Sequence, residues 1–124
     1  MKPGSVAVIG ASNQAHKFGN KAVRAYRRQG WTVYPVHPRA TEIEGLRTYS
    51  SLRDVPAPLD RVSLYLPPET GLDVLDDLAA VPHKEFYVNP GAESPQLIAR
   101  AEELGLQPIQ ACSIVEIGVS PSSL

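Results

Sequence analysis

Chemistry in this chain concentrates where apolar runs end. Val6-Ala7-Val8-Ile9 leads into Gly10-Ala11-Ser12, and then His16-Lys17-Phe18-Gly19-Asn20 opens a helical stretch. A buried strand followed by a turn of small residues lets a nucleotide's pyrophosphate approach the backbone. The N–H groups and positive dipole end of the next helix then stabilise its charge. The dinucleotide fingerprint is not met, because Ser12 and Ala15 stand where its second and third glycines belong. Taken alone, the turn also fits a tight strand–helix connection without a ligand. Ser12 either offers its hydroxyl to a phosphate or caps the loop, and His16 and Lys17 face either phosphate or solvent.

After the next apolar run, Val33-Tyr34-Pro35-Val36, comes His37-Pro38-Arg39. An acidic residue there would suit a ribose with free hydroxyls. A neutral or basic one suits a ribose carrying a phosphate, and Arg39 has the two-pronged donor array for it. Further run ends carry Leu66-Pro67-Pro68, Asn89-Pro90-Gly91-Ala92-Glu93 and Cys112. Two prolines in a row remove backbone donors and force an extended exit, either a stiff apolar shelf or a simple strand terminator. Glu93, just before Ser94-Pro95, reads as a helix-dipole partner rather than a catalytic acid. Cys112 reads as a small buried hydrophobe, with a thiol on the ligand rim as the alternative. His16, His37, His83 and Cys112 lack metal-ligand spacing, so no metal site and no catalytic residue is expected.

These groups need a scaffold, and strand-like and helix-like stretches alternate to supply one. Strands are expected over 6–9, 32–36, 62–66, 85–89 and 108–111, with a short edge strand over 46–49. Helices are expected over 19–29, ended by Gly30, over 70–80, and from Pro95 through Leu104 under a Ser94 cap, with Gly105 beyond its end. A turn of helix follows Ser50 or Ser51. The pattern predicts an α/β fold, a doubly wound parallel sheet covered on both faces. Ligands bind such sheets outside the carboxyl ends of the strands, where all the run-end residues should gather.

With 124 residues, 43% apolar and 20% charged, one folded domain over 1–124 is expected, with a loose tail after about 118. The formal net charge of −1 favours neither nucleic acid nor an anionic membrane. No apolar run approaches the roughly 20 residues of a membrane span, and no secretory signal is read. A single cysteine excludes an internal disulfide and fits a cytoplasmic location.

Together these segments resemble the small stand-alone CoA-binding proteins, whose Rossmann-like fold is that of the CoA-binding domain in the alpha subunit of succinyl-CoA synthetase. The resemblance runs from Val6 to about Val115. It rests on Val8-Ile9-Gly10-Ala11-Ser12, Gly30-Trp31-Thr32-Val33-Tyr34-Pro35-Val36-His37-Pro38, Leu66-Pro67-Pro68, Asn89-Pro90-Gly91 and Cys112. It implies that Gly10, Ala11, Ser12, Gly19, Pro38 and Arg39 hold the adenosine and phosphates, and Lys17 and Phe18 are further candidate cofactor-binding residues beside them. It implies also that Pro67, Pro68, Pro90 and Gly91 line the pantetheine path, and Leu66, Asn89 and Cys112 complete the candidate cofactor-binding residues. CoA or an acyl-CoA is the implied ligand. The second domain and the phosphorylated histidine of the ligase are not in the chain, so binding without catalysis is expected. The rival readings are a small NADP-binding protein or oxidoreductase, and an interaction subunit with a decayed ligand site. A homo-oligomer or a protein partner is compatible with each.

Overall fold

The computed structural model describes residues 3–124. Its centre is a five-stranded parallel sheet: β1 (Ser5–Ile9), β2 (Thr32–Val36), β5 (Leu59–Leu64), β6 (His83–Val88) and β7 (Pro108–Gln110). The spatial order is β2-β1-β5-β6-β7. The chain therefore leaves β1 to one side for β2 and returns to the other side for β5. The switch in strand order lies between β1 and β5, where Ile9 sits opposite Leu64.

Side chains alternate along β1, and the alternation divides the core. Ala7 and Ile9 pack on one face with Leu64, Leu75, Leu78, Phe86 and Leu97. Val6 and Val8 pack on the other with Ala22, Val23, Tyr26, Ile43 and Ile114. Helix α1 (Phe18–Arg28) and the short α5 (Ser113–Glu116) supply the second face, and α2 (Pro68–Leu72), α3 (Leu75–Ala80) and α4 (Pro95–Glu103) belong to the first. Both faces are thus covered, as the continuous apolar strands require.

Several boundaries differ from the sequence reading. The expected helix over 70–80 is two helices, α2 beginning already at Pro68, the first-turn position that tolerates proline. The break comes where Asp73 and Val74 bond back three residues, to Thr70 and Gly71. Leu72 and Ala79 consequently fall outside the buried stripe formed by Leu75 and Leu78. The expected edge strand over 46–49 is the second arm of a hairpin, β3 (Glu42–Ile43) with β4 (Leu46–Arg47). Only Tyr49 bridges to the sheet, at Val36. Ser51 caps the 3₁₀ turn Leu52–Asp54 by accepting from the Arg53 N–H. Residues after Gly118, expected as a loose tail, fold back: Val119 is buried and Lys21 Nζ donates to the Pro121 carbonyl.

Candidate functional site

Backbone geometry builds the site first. Gly10 ends β1 with φ of +92°, a conformation L side chains rarely adopt, and a Cβ there would lie 3.1 Å from the Tyr65 carbonyl carbon. Gly19, in the first turn of α1, is pressed on the same turn: a Cβ on it would sit 2.0 Å from the Gly10 carbonyl oxygen. Only hydrogen fits there, so the helix start rests directly on the turn. Lys17 precedes α1 without a side-chain cap, and no acidic residue occupies the helix's first turn. The positive end of α1 therefore has no side-chain charge or cap of its own to offset it.

A cavity of about 780 Å³ opens over this junction at the carboxyl ends of β1, β2 and β5. Gly10, Ala11, Ser12, Lys17, Phe18, Gly19, Pro38, Leu66 and Pro67 line it, so nine of the residues singled out from sequence meet there. Ser12 also does the blander work foreseen for it: its Oγ accepts from the Gln14 N–H at 3.0 Å. Phe18 stands at the mouth, 51% exposed. Sequence reasoning missed the wall formed by Ser50, Ser51, Thr70, Asp73 and Asp77, and it missed Tyr65. Ser50 and Ser51 reach the rim only because Tyr49 lays its segment beside β2, a tertiary event with no local signature. Asp77 carries a partner of its own, the Arg53 guanidinium.

The other predicted residues do not line the cavity. Arg39 is exposed, on a turn where His37 Nδ1 accepts from the Arg39 and Ala40 N–H groups at 3.0 and 2.9 Å. Pro68 is absorbed into α2. Pro90 and Gly91 are exposed, with the Gly91 N–H donating to Glu93 Oε2. Glu93 thus closes its own turn. Asn89 is 2% exposed and fully engaged: Nδ2 donates to Ser63 Oγ and to the Leu64 carbonyl, and Oδ1 accepts from the Ser113 N–H. A side chain satisfied on every side supports the fold and offers nothing to a ligand. Cys112 does not end a strand on the open rim. It precedes α5, half-buried against the second core face.

Behind the cavity wall runs a chain of hydroxyls. Tyr65 Oη lies 3.0 Å from Ser113 Oγ, which lies 2.7 Å from Ser63 Oγ. Burial pushes the Tyr65 pKa up, against the opposing hydrogen bonds from Ser113 and Ser63. The phenol stays protonated near neutrality and is no base.

A second concavity, of about 920 Å³, lies at the opposite, amino-terminal ends of the strands. Its floor is Arg61, 4% exposed, held by Glu85 Oε1 at 2.9 Å and Glu116 Oε2 at 2.6 Å. The guanidinium carbon lies 4.9 Å from the Trp31 ring centre and 4.5 Å from that of Tyr87. Burial by itself would lower the Arg61 pKa, yet hydrogen bonds with Glu116, Tyr26 and Glu85 outweigh it and raise the value. Among the described residues no cluster of three or more His, Cys, Asp or Glu could hold a metal ion, and no helix is long and apolar enough to cross a membrane.

Comparison with known proteins agrees with this geometry. Subunit alpha of the ADP-forming acetate–CoA ligase II of Pyrococcus furiosus is 36% identical over 66 residues, which cover 52% of this chain and 14% of that protein. The chain therefore spans a small part of the curated relatives it matches first. A conserved hypothetical protein of solved structure from Pyrococcus furiosus superposes with a TM-score of 0.82 at 31% identity, over 94% of this chain and 99% of that one. The dinucleotide forming acetyl-coenzyme A synthetase 1 of Ca. Korarchaeum cryptofilum, solved with phosphate and ADP, gives a TM-score of 0.75 at 30% identity, over 87% of this chain and 25% of that one. The α/β Rossmann-like fold is shared throughout. The chain belongs to the CoA binding domain family, whose pattern it matches over residues 4–118.

Proposed function

We propose that this chain binds CoA or an acyl-CoA across the carboxyl rim of its sheet and performs no reaction of its own there. The observation that carries the reading is the glycine-tight junction of Gly10 and Gly19 beneath an uncapped helix start, inside a cavity of about 780 Å³. Cavities of roughly 300–1,000 Å³ are the usual size for cofactors. The diphosphate lies over Gly10, Ala11 and Ser12, where backbone N–H groups and the α1 dipole favour negative charge. Pro38 borders the adenosine, and exposed Arg39 beside it takes the ribose phosphate at the mouth. The pantetheine arm runs past Leu66 and Pro67 toward Pro90 and Gly91.

The groups near the cavity support binding more than catalysis. His37 Nδ1 is already an acceptor of two backbone bonds, and the Tyr65 phenol is held protonated. The phenol is therefore not poised as a base near neutral pH.

Isothermal titration with CoA, dephospho-CoA, NAD, NADP and ADP tests the reading. CoA should bind most tightly. The margin over dephospho-CoA should be modest, within about 1 kcal/mol, as for an exposed ion pair at Arg39. NADP binding above CoA would hand the site to the rival cofactor.

A further inference from the structure

One buried polar side chain near the rim is not explained by packing. Asn20, in the first turn of α1, is fully buried. Its Nδ2 donates to the Ser12 carbonyl at 2.8 Å and to Glu44 Oε2 at 3.0 Å, and its Oδ1 accepts from Arg24 Nε at 2.7 Å. The orientation of the amide follows from its partners, since a carbonyl and a carboxylate can only accept and a guanidinium can only donate. Arg24 extends the brace: another of its nitrogens donates to the Ala15 carbonyl at 2.8 Å. Two carbonyls of the 12–17 loop are thereby drawn toward α1. The brace has an outer anchor in the β3–β4 hairpin. Glu44 sits at the hairpin tip with φ of +52°, the described residues' only positive φ outside glycine. A bulky residue there costs stability. It is held by the Asn20 contact and by Arg27, which donates to the Glu44 carbonyl at 2.6 Å.

We propose that Asn20 and Arg24 are positioning residues for anion binding at the Ser12 turn. They tie off the Ser12 and Ala15 carbonyls, so that the loop cannot swing an oxygen toward a diphosphate. A trans peptide points its N–H opposite to its C=O. Fixing the Ser12 carbonyl inward therefore also fixes the Asn13 N–H on the side away from Asn20. A loop already locked in one arrangement loses less entropy when the anion arrives, and the Arg24 charge adds a favourable field. The inference rests on the reading that CoA lies across this turn.

Two variants separate positioning from mere support of the fold. Asn20→Asp is isosteric but turns a donor facing the Ser12 carbonyl into an acceptor. Arg24→Lys keeps the charge yet cannot reach both Asn20 Oδ1 and the Ala15 carbonyl. Each is titrated with CoA well below its own unfolding midpoint, and the ³¹P spectrum of CoA is recorded at saturation. Asn20→Asp should weaken CoA about tenfold or more, the scale of a hydrogen bond at a charged group. Arg24→Lys should weaken it several-fold. In both, the bound diphosphate resonances should move from their wild-type positions while the 3′-phosphate resonance stays. Wild-type affinity and an unchanged diphosphate signal in either folded variant would overturn the inference. If Asn20→Asp does not fold, Arg24→Lys decides the matter by the same criteria. Failure of the wild-type protein to bind CoA would instead overturn the reading of the site, and the inference with it.

Discussion

The sheet carries a concavity at each end, and the two are of similar size, about 780 and 920 Å³. At the carboxyl rim the surface is made of turns, a helix start without a side-chain cap and the small residues Gly10, Ala11 and Gly19. At the amino rim the floor is a cation already bonded to two carboxylates and enclosed by two aromatic rings. The first end keeps a helix start with neither a side-chain cap nor an acidic residue in its first turn. Polar groups at the second are matched to one another, so a ligand would have to displace Glu85 or Glu116. Hollow shape does not separate the two ends, whereas the state of their donors and acceptors does. The contrast supports the proposal that ligand binds at the carboxyl rim, while the amino rim supports the fold.

The largest break in that comparison should come from Ser12→Leu. A bulky side chain fills the space over the turn, so CoA binding should fall below detection by isothermal titration, while the unfolding temperature stays near wild type because Ser12 is only half-buried in a loop. Wild-type affinity in this variant would take the diphosphate off the turn.

Arg61→Ala should do the reverse. It removes a buried side chain, its two ring contacts and its bonds to Glu85, Glu116 and Tyr26. The cost should be about 2–5 kcal/mol of stability, the range for emptying a core position. The two glutamates are 40% and 42% exposed and can return to water. CoA affinity of the folded variant should not change. A clear loss of affinity without loss of stability would mean that the amino rim takes part in binding.

A smaller effect belongs to Asp60, also at the amino rim. The Ser5 N–H, donating at 2.8 Å, and then Lys84 hold its carboxyl below the ordinary value of 3.8. A folded-state pKa lowered in this way stabilises the protein above the unfolded value and loses that contribution as pH falls through the folded one. Asp60→Asn should therefore be less stable than wild type above pH 4, and the gap should close as the solution is acidified below pH 3.8. A gap that persists unchanged in acid would show that the charge is not what matters.

The same contrast marks how much the sequence could reveal. The alternation of strands and helices and the carboxyl-rim turns were legible because each is local: an apolar run, then a residue type suited to a turn. Gly10, Ser12 and Pro67, which line the cavity, were singled out in this way, and Gly19 and Pro38, which line it too, through the family resemblance. Asn89 looked equally like a rim residue, since a polar residue before Pro90-Gly91 reads the same whether it faces solvent or the core. Its burial depends on Ser63 and Ser113, which are distant in the chain. Arg61 gave no signal either. It stands just before the strand expected over 62–66, and its carboxylates and aromatic rings come from three other segments, β6, α5 and the turn before β2. The break between α2 and α3 was hidden because Leu72, Leu75 and Leu78 keep a helical spacing across it. What escaped was tertiary pairing, and it governs the amino rim more than the carboxyl one.

The most direct test of where the ligand lies is a CoA titration of ¹⁵N-labelled protein followed by amide and indole chemical shifts. Shift changes should concentrate at Gly10, Ala11, Ser12, Lys17, Phe18 and Gly19, and the Trp31 indole N–H and the Arg61 Nε–H should stay fixed. Shifts centred on Trp31 and Arg61, with the Gly10–Gly19 amides unmoved, would contradict the account.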